Sequence, residues 1–419
     1  MVENCGMMKN FWYYLPILIL LMVLTPNTGH HFDIQFWVTW STYNLTHGWA
    51  KIYESGTDYL PFYHYLLGIF GRIQGSPEEI AANIGYMKYV NLMFEFGSTL
   101  ILAYMLRRNG FSNKHSFIFS LFYLCNLAVL HNSLIWGQVD AILAFFCFAA
   151  VISTHYRAYI LGAILFVIAV NMKLQAIIFL PVLPAIMATH PLEKGWKDVV
   201  YPIIAAIITQ LTIVLPFLIE GQANEVLRVA LESKGKIPVM SMAAYNVWFI
   251  FFSGDLMQIK DTVKFWGISY NNWGLLMFCT ASFFTLLLPL KFFIERFTKK
   301  TMQPLSLRQV LIIGTLIPLV FFYFNTQMHE RYSHPALIFG IAYALIFRRW
   351  AILVLLSFAV FQNMEGCLMA FGWKNYGTLI FMPRFISGIF LLTILHLFYD
   401  LYTSFRPLSL TKQFEHHEN

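Results

Sequence analysis

Residues 10–40 read NFWYYLPILILLMVLTPNTGHHFDIQFWVTW: an apolar run, a short polar turn, then one acid, Asp33, among Phe32, Phe36 and Trp37. The run looks like a secretory leader, yet TPNTGHH stands where a small-residue cleavage site would be. It therefore reads as a retained membrane span. The rest of the chain carries the same signature, with hydrophobic residues making up 58% of 419 and charged residues 12%. A soluble chain needs more polar groups to cover its surface. The composition predicts an all-α polytopic membrane protein, one integral membrane domain over residues 1–419. The cysteines, Cys5, Cys125, Cys147, Cys279 and Cys367, are far apart and show neither a metal spacing nor a disulfide framework.

Apolar runs bounded by charges or turn residues number twelve, near 10–25, 86–106, 115–131, 138–153, 158–171, 173–187, 199–219, 272–292, 306–324, 332–347, 350–366 and 377–399. Twelve spans put both termini on one side, together with RRNGFSNK, HPLEKGWKD and FRRW. That side holds 16 Lys and Arg against 7 Asp and Glu, and the other holds 12 against 14. The basic side is expected to be cytoplasmic. Topology thus accounts for the net charge of +7, and no nucleic-acid partner is expected. Two long segments, 26–85 and 220–271, fall on the outer side and are too apolar to stay solvated. They are expected to form interfacial helices against membrane lipids. The two halves of the chain differ in loop length and motif, so no transporter-like repeat is visible.

Six outer-side stretches hold polar residues where apolar ones would cost less: FDIQFWVTW with Asp33, YESGTDYLPFYHY with Asp58, HNSLIWGQVDAI with Gln138 and Asp140, VNMKLQ with Lys173, AYNVW with Tyr245 and Asn246, and TQMHERYSHPA with His329, Glu330 and Arg331. Asp33 reads as a helix cap or as a general base whose flanking rings desolvate it. His30 and His31 lack the spacing of metal ligands, and neither a metal nor a cofactor is expected. Asp58 reads as a turn residue or a second acid of the same cavity. Arg331 offers a planar fork suited to a phosphate, with His329 as a further donor, against the plainer reading of a Glu330–Arg331 surface pair. Lys173 is a second candidate cation, or it snorkels to the interface. Gln138 and Asp140 read as a cap with a hydrogen-bonded Gln; with Glu330, Tyr245 and Asn246 they are also candidates to line the cavity. Glu95 and Arg384, inside apolar runs, are expected to pair or to line a cavity.

Taken in order, FDIQFWVTWSTYNLTHGWAKIYESGTDYLPFYHY, IWGQVDAI, NMKLQ, AYNVW and TQMHERYSHPAL resemble the landmarks of the membrane-embedded GT-C glycosyltransferases, in particular the bacterial GPI-mannosyltransferase-like branch. The resemblance spans most of the chain, although Leu60 stands where the family often has the first of two prolines. It implies a GT-C fold and inverting transfer of a hexose, mannose favoured, from a polyprenyl-phosphate or dolichyl-phosphate sugar. The acceptor would be a glycan, lipid or protein at the periplasmic or lumenal face. Asp33 then corresponds to the first-loop acid assigned as general base, Asp58 to the second first-loop acid, and QMHERY to the loop near the donor phosphate. The alternative is a lipid or glycolipid transporter or flippase, with Glu95 and Arg384 as gating charges. Asn44 in NLT is a glycosylation sequon. The compact loops favour a bacterial inner membrane over the endoplasmic reticulum.

Overall fold

The computed structural model describes residues 2–232, 237–299, 303–372 and 378–404, so the C-terminal tail lies outside the described residues. The architecture is helical: the one sheet among those residues is a hairpin pairing Lys264–Phe265 with Ile268–Ser269. Every apolar run carries helix, but the runs are not alike. Six helices, Pro77–Arg108, Lys197–Ile219, Tyr270–Arg296, Leu307–Phe324, Trp350–Leu368 and Pro383–Thr403, are long and apolar enough to cross a membrane. Asn113–Leu124 and Leu127–Trp136 make a seventh if that pair, bent by 47°, is one span. Asp140–His155, Tyr159–Met172, Leu174–Thr189 and Pro335–Ile346 have 10–17 residues, and the first helix, Val2–Leu24, has 23, with Trp12–Leu24 as its apolar part. Twelve residues rise about 18 Å, against a hydrocarbon core about 30 Å thick. Among the described residues, six or seven helices are thus long and apolar enough by themselves to cross a membrane, and other apolar runs carry shorter helices.

Pro335–Ile346 shows that high hydropathy can come from burial in protein. Every one of its residues is buried, but the cover is protein, chiefly Leu307–Phe324, Trp350–Leu368 and Asp140–His155. A Cβ on Gly314 would fall 2.3 Å from the Phe339 ring, so the small residue is what lets these helices close on each other.

The segment 26–85 is helical, with His31–His47 packed on Pro61–Gln74. Trp37, Trp40, Tyr63 and Leu67 fill the contact, and Ser41 Oγ donates to Leu67 O at 3.0 Å. Phe32 and Phe36 instead face outward, 65% and 53% exposed. Asn44 is buried in the contact, with Nδ2 donating to His64 O at 3.4 Å, so the sequon is closed to glycosylation here. The segment 220–271 holds the helix Ala223–Glu232 and then an extended stretch whose Met242 and Ala243 bridge His329.

Candidate active site

The path into Asp33 is fixed by backbone capture. Lys88 Nζ donates to Pro26 O at 2.8 Å and to Thr28 O, and His30 N donates to Trp136 O at 3.1 Å. A Cβ on Gly29 would lie 2.7 Å from that same Trp136 oxygen, so only glycine allows this approach. The helix begins at His31 with His30 at its N-cap, which makes Asp33 the third helical residue. The cap reading of Asp33 therefore fails. Its carboxylate, 19% exposed, accepts from Trp136 Nε1 at 3.0 Å through Oδ2, and His30 Nδ1 lies 2.8 Å from the same oxygen. The ring against the acid is thus Trp136, in place of the neighbouring Phe32 and Phe36. Trp136 closes a π-helical turn, His131–Trp136, and Gly137 at φ 87° then turns the chain into the helix that starts at Asp140.

Over the face of Trp136 lies Arg331, its guanidinium 5.5 Å from the indole ring centre. Arg331 Nη1 donates to Glu330 Oε1 at 2.6 Å, and Nε lies 3.6 Å from Asp140 Oδ2. Asp140 Oδ1 in turn accepts from Lys173 Nζ at 2.7 Å, and that ammonium sits 4.5 Å from the Tyr332 ring centre. Glu330, Arg331, Asp140 and Lys173 thus alternate in sign through a buried chain. Burial pushes the Glu330 carboxyl up, but Arg331 and His329 outweigh it and hold the group at about 2. Burial likewise opposes the charge on Arg331, yet Glu330, Asp33 and Asp140 raise it well above the ordinary range. Tyr59 closes the group: burial raises its phenol strongly, and it feels the charges of Arg331, Asp33, Asp140 and Asp58.

Several expected residues fall elsewhere or act differently. Asp58 is exposed beside the cluster, so its carboxylate belongs to the rim rather than to a shared interior. Lys173 is half-buried and paired with Asp140 rather than snorkelled to the interface. Glu330 and Arg331 form the expected pair, but buried rather than at the surface. His329 lies against Tyr332, and burial lowers its pKa, with Glu330 opposing the shift and Arg331 adding to it. Asp140 heads its helix behind Val139 as N-cap, and the buried Gln138 amide has no hydrogen-bond partner among the described residues. Neither forms the predicted cap. Asn246 ties chain segments together, donating to Phe322 O at 3.4 Å and Asn325 O at 3.1 Å, while Tyr245 N donates to Asn363 Oδ1 at 2.8 Å. Both are buried. Glu95 is satisfied by Tyr123, by Ser133 Oγ at 2.6 Å and by His334 Nε2 at 3.2 Å. Arg384 is exposed on the first turn of Pro383–Thr403 and donates to Phe249 O at 3.2 Å.

Sequence reasoning missed His30, Tyr59 and Trp136 as working parts of the site. Trp136 stood in the quoted IWGQVD, but nothing in spacing links it to an acid 103 residues away. Among the described residues, no group of three or more His, Cys, Asp or Glu could hold a metal ion.

A family model described as ALG3 protein matches residues 101–234, about a third of the chain. That family comprises GT-C-like mannosyltransferases dependent on dolichyl-phosphate mannose, and the match supports a membrane glycosyltransferase. It includes Trp136, Asp140 and Lys173, whereas Asp33, Glu330 and Arg331 lie outside it. No curated protein matches the chain.

Proposed function

We propose that the chain is an inverting hexosyltransferase, with mannose favoured, that takes its sugar from a dolichyl-phosphate or other polyprenyl-phosphate lipid. The observation that carries this reading is Asp33. Trp136 donates to one carboxylate oxygen, which His30 Nδ1 also approaches to 2.8 Å, and the other oxygen has no hydrogen bond among the described residues. Such an acid can remove the proton of an acceptor hydroxyl as that oxygen attacks the anomeric carbon. The bond to phosphate breaks on the opposite face, inverting the centre, and its electron pair leaves with the lipid phosphate. Arg331 and Lys173 are the cations beside Asp33 that would hold the departing anion. They already hold Glu330 and Asp140, so phosphate must compete with two carboxylates.

The lipid tail has a suitable apolar groove, about 580 Å³, lined by Leu276, Phe284, Phe324, Leu395, Phe398 and Tyr402. Phe324 ends the helix immediately before the stretch that carries Arg331. The ALG3 match supports mannose and a dolichyl carrier, with a glycan acceptor, and it weighs toward the lumenal face of the endoplasmic reticulum over a bacterial inner membrane. The flippase alternative loses its gating pair, because Glu95 is fully engaged and Arg384 is exposed.

Purified protein in lipid nanodiscs, given dolichyl-phosphate mannose labelled in the sugar and a lipid-linked glycan acceptor, is expected to move label to the acceptor with inversion. Lipid transport in vesicles with no donor consumed against any acceptor would overturn the reading.

A further inference from the structure

The segment 220–271 ends in the hairpin Lys264–Ser269, whose two-residue turn is Trp266–Gly267. Both turn residues have positive φ, 51° and 79°, the combination of a type I′ turn, whose first position ordinarily takes Asn, Asp or Gly. A tryptophan there is unfavourable for the backbone and is not repaid by packing. Trp266 is 83% exposed, stacked on the exposed Phe265 ring at 5.1 Å. Val263 and Ile268 are exposed in the same segment, as are Lys260 and Lys264.

The surroundings say what covers this tip. The next residue, Tyr270, opens the Tyr270–Arg296 helix, which is long and apolar enough to cross a membrane and of which only 22% is buried by protein. Trp273 Nε1 donates to Phe265 O at 3.0 Å and Tyr270 N to Val263 O at 3.0 Å, so the hairpin is seated on the first turn of that span. Aromatic residues with a polar edge collect at that depth in bilayers, and ammonium groups suit headgroup phosphates. The base of the hairpin reaches the site stretch through Asp261. Its Oδ2 accepts from Thr326 Oγ1 at 2.8 Å, Gln327 Nε2 at 2.7 Å and Asn271 Nδ2 at 3.2 Å.

We propose that the Trp266 hairpin is a membrane anchor, inserted among phospholipid headgroups on the site side, which fixes the height of the stretch carrying Glu330 and Arg331 relative to the bilayer. The inference rests on the chain being a membrane protein and is independent of sugar transfer, so failure of the transferase assay leaves it standing.

The test compares wild type with Trp266→Phe, which keeps a ring at the tip, in phosphatidylcholine vesicles. The difference in tryptophan emission between the two isolates Trp266 from the other indoles. It is expected to be quenched most by lipid carrying a nitroxide near the headgroup, less by nitroxide at the chain end, and weakly by aqueous iodide. Strong iodide quenching without nitroxide quenching would place the tip in water. Insensitivity to both would mean that a protein partner or a second copy covers it, and strongest quenching from the chain end would place it too deep. Each of these three outcomes overturns the proposal.

Discussion

The two sides of Trp136 handle charge in opposite ways. Toward the His31–His47 helix the indole donates to Asp33, whose second oxygen makes no hydrogen bond among the described residues. Toward the 325–334 stretch its face meets Arg331, which is bound into a chain with Glu330, Asp140 and Lys173 that leaves little charge unanswered. One side is poised to take a proton, and the other is closed by its own ions. The difference teaches that an acid and a cation can share one indole without pairing if the cation is already held by other carboxylates.

Breaking the closed side should have the largest effect. Arg331→Met leaves Glu330 and Asp140 with too little positive charge in a buried setting, which costs about 3–5 kcal/mol. The melting temperature in detergent should fall clearly and transfer should be lost. An unchanged Tm would mean that the buried chain of charges does not form.

The two sides should also part on acidification. His64, buried beneath the Asp33 helix, is held by burial at about 4. Below the ordinary histidine value near 6.5 the unfolded chain takes up a proton that the folded chain refuses. Stability therefore falls as pH drops from about 6.5 to 4, by about 3 kcal/mol in total. Glu330 works in a lower window. Its depressed pKa contributes stability that is present above the usual glutamate value and is lost only as pH falls toward about 2. Hydrogen exchange followed against pH should show residues 31–74 loosening before 325–334, and His64→Gln should flatten the first change. The reverse order would break the comparison.

Trp136→Phe keeps the ring over which Arg331 lies but removes the donor to Asp33. A hydrogen bond to a charged group contributes about 1.5–3 kcal/mol, so kcat should fall roughly ten- to a hundredfold with donor KM little changed. A rise in KM alone would reassign Trp136 to donor binding. The smallest effect is expected from Glu330→Gln, which should lower donor KM several-fold by freeing Arg331 for the phosphate. A raised KM would mean that Glu330 orients the guanidinium rather than masking it.

The helices were legible because apolar periodicity and turn residues mark where backbone bonds close locally. The length of each helix and what covers it were not, because hydropathy reports only how apolar a stretch is, as the protein-sheathed Pro335–Ile346 shows. In the site, Asp33, Asp140, Lys173, Glu330 and Arg331 stood out as polar residues in apolar stretches. Adjacency made the Glu330–Arg331 pair legible, but the links of Asp140 to Lys173, 33 positions away, and to the still more distant Arg331 could not be read. Asn246 carries the same surface signal as a site residue, a buried amide among rings, but it spends its donors on backbone carbonyls. His30 was passed over as metal chemistry was weighed and set aside, when its use is to crowd one oxygen of a neighbouring carboxylate.

The most direct test of the account is Asp33→Asn, which preserves shape and an acceptor oxygen but removes the base. The account predicts that hexose transfer from dolichyl-phosphate mannose falls by about 10³-fold while Tm and donor binding stay near wild type. Transfer at the wild-type rate by a folded Asp33→Asn protein would contradict it.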